Sequence, residues 1–258
     1  MRYNARMDIT SYEKDLAFLV RDKYDGDGDK VTQEDKERLA AGEPLAYVIG
    51  WIPFLSLRID LSSHPLIPRP ETEWWTEQLI LRLREKFNDA AFSFLDLCAG
   101  SGAIGLSILC AFPNAQVSFG EVMPAHIEQI EKNITLNQLD ALRADIRTSD
   151  LFTAWPDTRW DVIATNPPYI PAERELDTSV ASFEPAEALF AGPDGLTLIS
   201  KIAEEASRHI EPSGEVWMEA DVSNIEIAAH LLTKGGADKT VILTDPYDRQ
   251  RVVVSYYS

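Results

Sequence analysis

From residue 92 onward the sequence alternates short β-type apolar runs with helical ones, and this constrains the fold more than any other feature. Strands are predicted near 92–97, 116–121, 160–165 and 214–220, and helices near 102–111, 124–137, 196–210 and 222–234. Such a rhythm requires a mostly parallel sheet, because each helix carries the chain back across one face. It breaks at the end, where Thr240–Leu243 and Val252–Tyr257 flank a turn at Asp245-Pro246-Tyr247-Asp248. Two strands joined by so short a turn must be antiparallel neighbours. The predicted class is α/β: a Rossmann-like parallel sheet, helices on both faces, with an antiparallel terminal hairpin.

The chain before residue 92 is organised differently. Tyr12, Leu16, Leu19 and Val20 share one helical face, and a second helix is predicted over Thr32–Ala41, ended by Gly42-Glu43-Pro44. Between them Asp25-Gly26-Asp27-Gly28-Asp29 has the opening spacing of a calcium loop. Lys30 stands where such a loop needs Gly, however, and Lys36 where it needs a bidentate Glu, so a solvated acidic turn is expected. Residues 46–64 mix aromatic and β-branched residues and read as a small hairpin or linker. Pro65, Pro68 and Pro70 then hold the chain extended. A helix follows from about Glu71, with Trp75, Leu79, Leu83 and Phe87 along one face. The division predicted is a short helical segment over 1–45, a β-hairpin and extended linker over 46–70, and the main domain over 71–258.

Charge narrows the partners. The net charge of −18 is uneven: residues 1–45 carry −3, residues 46–90 carry −1 and residues 91–258 carry −14. A surface that negative repels a phosphate backbone, which disfavours autonomous nucleic-acid binding. No apolar run approaches the ~20 residues of a membrane span. Arg2 and Arg6 are followed by Asp8 and Glu13 without an apolar core between them, so no secretory or transit leader is read there. Cys98 and Cys110 are the only cysteines, too few for a disulfide scaffold, and a reducing, cytoplasmic setting is expected. His64, His126, His209 and His230 are scattered without metal-ligand spacing, so no metal is predicted.

Two motifs carry chemistry. The first, Asp96-Leu97-Cys98-Ala99-Gly100-Ser101-Gly102-Ala103-Ile104-Gly105, reads as a strand end, a glycine turn and a helix start. Gly100 and Gly102 permit a tight turn and let a ligand approach the backbone. Glu121, 19 residues beyond Gly102 at the end of the next strand, can accept hydrogen bonds from both hydroxyls of a ribose. Asp96, at the strand end just before the turn, is a poor neighbour for a pyrophosphate. It suits a cationic amino-acid moiety, such as the methionine part of S-adenosylmethionine. Asp150, with Leu151 after it, is placed to meet an adenine amino group, and equally reads as a turn acid.

The second motif is Asn166-Pro167-Pro168-Tyr169, directly after the buried-type strand Trp160–Thr165, where open α/β sheets place their chemistry. The prolines stiffen the loop and remove two backbone donors. The Asn166 side-chain carbonyl and the Pro167 backbone carbonyl can together accept both hydrogens of an –NH2 group, and Tyr169 can stack on a planar amide or base. Gripping those hydrogens favours pyramidal nitrogen and aims its lone pair at an electrophilic methyl. No general base is needed before transfer.

With these residues the chain resembles the HemK/PrmC-type protein-(glutamine-N5) methyltransferases, which act on the Gly-Gly-Gln loop of peptide chain release factors. The resemblance covers roughly residues 42–258. Beyond the two motifs it rests on Gly42–Gly50, on Leu66-Ile67-Pro68-Arg69-Pro70-Glu71-Thr72-Glu73, on Glu184-Pro185 with Ala188-Leu189, and on Gly192-Pro193-Asp194-Gly195-Leu196. It implies a class I S-adenosylmethionine-dependent methyltransferase with a seven-stranded sheet, a release factor as protein substrate, and no direct nucleic-acid or membrane partner. Cofactor contacts are then expected from Asp96, Cys98, Ala99, Gly100, Ser101, Gly102, Glu121, Asp150, Leu151 and Asn166. Asn166, Pro167 and Tyr169 carry catalysis, and the substrate side chain meets them together with Pro168, Leu66 and Arg69.

The sequence also departs from the family pattern. Cys98-Ala99 replaces Gly-Thr, Glu121 the usual Asp, and Asn224 stands where the segment after the fifth strand usually has Gln. The 45-residue N-terminal segment is shorter than the family's helical docking domain. Two other readings of the same motifs are an adenine-N6 methyltransferase of nucleic acid and a non-catalytic module keeping the fold. A partner subunit is compatible with the first.

Overall fold

The computed structural model describes residues 9–258, with side chains from residue 11; the leader reading at Arg2, Arg6 and Asp8 lies outside them. The chain begins with α1 (Ile9–Tyr24), α2 (Gln33–Ala40) and α3 (Leu45–Ile49), followed by the strands β1 (Trp51–Phe54) and β2 (Leu57–Asp60). Then come α4 (Pro70–Phe87), β3 (Phe92–Leu97), α5 (Ala103–Ala111), β4 (Ala115–Glu121), α6 (Pro124–Leu136), β5 (Ala144–Thr148) and β6 (Trp160–Thr165). The chain closes with α7 (Thr178–Phe183), α8 (Thr197–His209), β7 (Ile210–Glu219), α9 (Ile225–Lys234), β8 (Lys239–Thr244) and β9 (Gln250–Tyr256).

The large sheet has seven strands in the order β5-β4-β3-β6-β7-β9-β8. Strands β3 to β7 are mutually parallel, and β9 lies antiparallel to both β7 and β8. The chain walks outward from β3 through β4 to β5, then returns to the other side of β3 with β6. This reversal opens a crevice at the carboxyl ends of β3 and β6, where such sheets bind ligands.

Strand periodicity divides the core into two layers. Phe94, Val162, Trp217, Val252 and Val254 face one side, packing with Trp75, Leu79, Leu106 and Ile130 from the helices. Their neighbours Leu95, Ile163, Val216, Met218 and Val253 face the other, against Ile199, Ile202, Ile225 and Leu232. Both faces are covered, which is why these strands read as nearly continuous apolar runs. Helix α5 is buried almost all round, and its Gly105 explains how it lies so close. A Cβ there would fall 2.3 Å from the Phe119 ring and 3.0 Å from Asp96 Cβ.

The first three helices form a satellite core of Leu19, Leu39 and Val48, with Tyr12 and Leu16 against it. Buried Asp35 ties them together: it takes hydrogen bonds from Tyr24 and from Lys23 (2.8 Å), and Lys23 also reaches the Val48 carbonyl (2.8 Å). The Asp25–Asp29 segment is an exposed turn in which Asp27 accepts the Asp29 N–H and pairs with Lys30 at 3.3 Å.

The hairpin predicted within 46–64 is confined to residues 51–60, because the chain before it is helical. Pro44 precedes the first turn of α3, and Gly50 ends it with φ +91°, a position that favours glycine. The hairpin is bolted to α6 by side-chain amides. Asn133 accepts the Asp60 N–H (2.8 Å) and Asn137 the Arg58 N–H (2.9 Å), while Gln129 accepts the Ser63 N–H (2.8 Å). Asn133 is fully buried and also donates to the Ser101 carbonyl (3.0 Å) in the glycine turn. Among the described residues no helix is long and apolar enough to cross a membrane.

Candidate active site

A cavity of about 1020 Å³, counting its open mouth, lies at the carboxyl ends of β3, β4 and β6. Its floor is the turn Cys98–Ser101, in which Cys98 and Gly100 adopt φ of +61° and +55°. Glu121, Ser149, Asp150 and Leu151 form one wall, and Leu66, Pro68, Thr72, Asn166 and Pro168 another. A second cavity of about 430 Å³ adjoins it and shares Leu66, Asn166 and Ala188. The rest of its lining is Arg69, Pro167, Tyr169, Ile170, Val180 and Leu189, a mixed slot of apolar and polar side chains. Volumes in this range suit a small-molecule ligand.

Nearly all the residues predicted from sequence are brought to these two cavities. Asp96 and Gly102 lie outside both linings. Asp96 is fully buried under the turn, where Oδ2 accepts the Gly105 N–H (2.8 Å). Oδ1 is buried without a hydrogen-bond partner among the described residues. Burial lifts this carboxyl to about 8, against the pull of the Gly105 N–H and helped by the charge on Glu121. Its hydrogen bond ties the end of β3 to the first turn of α5 across the glycine turn.

Glu121 is on the wall. Its Oε2 accepts the Gly100 N–H (2.8 Å), its Oε1 the Met123 N–H (2.9 Å), and His126 Nδ1 lies 3.8 Å away. Burial opposes its charge, but the nearby His126 ring and the hydrogen bonds from the two backbone amides prevail and hold it below its ordinary range. It is thus a fixed anion at the mouth of the glycine turn. The Cys98 thiol, by contrast, is pushed up to about 12 by burial and by the same glutamate's charge. It stays protonated and forms wall, since only a thiolate is a nucleophile.

Asn166 leads out of β6 between the two cavities. Its Nδ2 donates to Thr72 Oγ1 (3.2 Å), and that hydroxyl donates to Glu219 Oε2 (2.7 Å). Glu219 is buried and also accepts from Trp75 Nε1 (2.6 Å) and the Tyr169 hydroxyl (3.1 Å). Burial raises the Glu219 carboxyl, and the bonds from Trp75, Thr72 and Tyr169 oppose the rise. Burial and then the Glu219 charge also push the Tyr169 hydroxyl well above its ordinary value. Asn224, where the sequence departs from a Gln, holds the loop from behind by donating to the backbone carbonyls of Tyr169 (3.1 Å) and Asp194 (3.3 Å).

Arg69 is an anchor. It pairs with Glu184, a carboxylate with 1% side-chain exposure that also accepts the Ile67 N–H (3.1 Å). The pair clamps the proline-rich segment to the end of α7, beside the second cavity.

The donor set fits S-adenosylmethionine. Glu121, a fixed carboxylate, and exposed Asp150 line the large cavity, and a positive-φ turn gives close backbone approach. Sequence reasoning passed over Thr72, Trp75, Glu184 and His126 as site residues. It met Asn224 only as a departure from a pattern.

Comparison with known proteins shows the family and the fold. Residues 75–235 match the methyltransferase small domain family. The release factor glutamine methyltransferase of Lactococcus lactis is 32% identical over 91% of this chain and 85% of its own. That of Streptococcus pneumoniae is 32% identical over 93% and 85%, and that of Mycolicibacterium smegmatis 35% over 74% and 70%. Among solved structures, a methyltransferase from Pyrococcus furiosus superposes with a TM-score of 0.55 at 16% identity, covering 87% of this chain and 98% of that one. A T. thermophilus 16S rRNA N2 G1207 methyltransferase, solved with AdoMet and guanosine, has a TM-score of 0.55 at 19% identity over 81% of this chain and 50% of that one. These two likenesses concern the fold alone.

Proposed function

The chain belongs to the family of the release factor glutamine methyltransferases, and from that premise we propose that it methylates the side-chain nitrogen of a glutamine in a peptide chain release factor, with S-adenosylmethionine as methyl donor. The observation that carries this reading is the meeting of the two cavities at Asn166. One is large enough and polar enough for a nucleoside cofactor. The other is a smaller slot in which Leu66, Ile170, Val180 and Leu189 stand beside Asn166, Arg69 and Tyr169, suited to a neutral side chain with a polar end such as glutamine.

S-adenosylmethionine, when bound, supplies a methyl group made electrophilic by its sulfonium. Glu121 accepts from the ribose hydroxyls, Asp150 meets the adenine edge, and the Cys98–Ser101 turn with Leu151 encloses the remainder. Asn166 Oδ1 and the Pro167 carbonyl each take one amide hydrogen of the glutamine. A planar amide nitrogen is a weak nucleophile because its lone pair is delocalised. Two acceptors that hold its hydrogens stabilise the positive charge that develops on it as the methyl arrives. They also fix its approach. Pro167 and Pro168 keep that geometry stiff, Tyr169 packs against the amide plane, and Leu66 with the Arg69–Glu184 clamp bounds the slot. The extra proton passes to solvent water at the open mouth of the site after transfer. A translation protein as substrate also implies that the enzyme works in the cytoplasm.

The test offers labelled S-adenosylmethionine to the protein with a release factor, with the same factor carrying Gln→Ala in its Gly-Gly-Gln loop, and with an adenine-containing oligonucleotide. Label is expected on the first alone. Label on the oligonucleotide and none on the factor would refute the reading in favour of adenine methylation.

A further inference from the structure

We propose that Thr72 and Glu219 are positioning residues that fix the orientation of the Asn166 side-chain amide, so that its oxygen and not its NH2 faces the acceptor nitrogen. The inference rests on the reading of Asn166 given above and adds a requirement that reading leaves open. The two ends of an asparagine amide have nearly the same shape, and only hydrogen bonding distinguishes them. An Asn166 turned the wrong way would present two donors to an –NH2 group and repel it.

The orientation follows from proton counting. Glu219 stands at the end of β7, 2% exposed, and receives donors from Thr72, Trp75 and Tyr169. The Trp75 indole N–H can only donate, so Oε2 of Glu219, which takes it at 2.6 Å, is an accepting oxygen. With Glu219 ionised that oxygen carries no hydrogen of its own, so the Thr72 hydroxyl, 2.7 Å from it, spends its single hydrogen there. What Thr72 Oγ1 has left for Asn166, 3.2 Å away, is lone pairs. Only an NH2 can meet them favourably, and the amide oxygen is turned away from Thr72. The hydroxyl acts as a one-way relay: the buried carboxylate sets its direction, and it sets that of Asn166. The Tyr169 hydroxyl, held by the other oxygen of Glu219, fixes the far end of the same tetrapeptide.

Four variants assayed with the release factor substrate test this. Thr72→Val removes the hydroxyl at nearly constant volume. It should lower kcat about tenfold, with little change in KM and an unchanged Kd for S-adenosylmethionine. Thr72→Ser keeps the hydroxyl and should recover most of the rate. Glu219→Gln can still offer one oxygen to both Trp75 and Thr72 while its NH2 donates to Tyr169, so it should retain most of kcat. Asn166→Ala separates the two claims. If it stays active, the reading of the site is refuted. If it is inactive while Thr72→Val stays within twofold of the parent, or Thr72→Ser falls as far as Thr72→Val, the relay is refuted and the site reading stands. A loss in Thr72→Val confined to cofactor Kd would likewise overturn the relay.

Discussion

Gly195 lies far along the chain from the Asn-Pro-Pro-Tyr loop, yet its substitution by alanine should damage that loop directly. Its φ is +77°, and a Cβ built there falls 2.2 Å from the Tyr169 carbonyl oxygen and 2.9 Å from both Tyr169 C and Asn224 Nδ2. The left-handed conformation alone costs an alanine ~1–2 kcal/mol. The clash is with backbone, and relieving it requires a shift of roughly 1 Å, which adds ~1–3 kcal/mol of repacking strain. Gly195→Ala should therefore destabilise the protein by ~2–5 kcal/mol. The displaced group is the carbonyl that Asn224 holds at 3.1 Å, so Tyr169 and Asn166 should move with it. A misplacement of about 1 Å at a reacting centre can cost on the order of 10²-fold in rate. Gly192→Ala is the internal control: φ is similar at +78°, but its Cβ would meet Thr197 Oγ1, the end of a side chain that can rotate. Urea denaturation and kcat measured on both variants check the reasoning. Equal destabilisation of the two, or a Gly195→Ala rate within twofold of the parent, would refute it.

Three further outcomes are expected. Arg69→Ala strands Glu184 with 1% side-chain exposure and one remaining backbone donor; it should cost ~3 kcal/mol by denaturant unfolding and raise KM for the protein substrate more than for the cofactor. Glu121→Ala should weaken S-adenosylmethionine binding at least tenfold in calorimetry while the protein stays folded, and an unchanged Kd would count against its ribose role. Asp60 and Asp221 are each held at about 2: burial opposes their charge, but Ser62 and Lys132 outweigh it at the first, and Arg174 and Ser223 at the second. Because both folded values lie below the ordinary 3.8, their stabilisation is complete above about pH 4. It should be lost as pH falls toward 2, and circular dichroism of Asp60→Asn and Asp221→Asn should show a shallower acid-unfolding slope than the parent.

Much of this architecture was legible because strands buried on both faces leave dense apolar runs, as Phe92–Leu97 and Trp160–Thr165 do. The edge strand β5 is harder to see: Ala-Asp-Ile-Arg-Thr is half exposed and offers a single large apolar residue. Strand β7 begins at Ile210, four residues before its predicted start. Pro212 and Ser213, the latter with φ +66°, interrupt the pattern, and the register against β6 shifts there. The six-residue α7 and the five-residue α3 are too short for helical periodicity to register, and Tyr47 and Val48 suggest strand until Pro44 and Gly50 are seen to bracket them. The same division holds at the site. Glycines and prolines in fixed order announce a turn and a stiff loop. Thr72 and Glu219, 147 residues apart, meet only through tertiary packing, and a lone buried glutamate carries no local signal of its partners.

Asn133 has a consequence for how the protein can be divided. One fully buried side chain holds both the hairpin strand at Asp60 and the carbonyl of Ser101 in the glycine turn. A truncation beginning at residue 71 would look conservative on a domain diagram, yet it removes the strand and leaves Asn133 and Gln129 facing solvent where they had backbone partners. The turn would lose its lateral brace along with the Leu66 and Pro68 wall of the large cavity, and cofactor affinity should fall even though Glu121, Asp150 and the glycine turn are all present. A piece that keeps full cofactor affinity should therefore begin ahead of the hairpin, and the hairpin serves the methyl-donor half of the molecule as much as the segment it leads from.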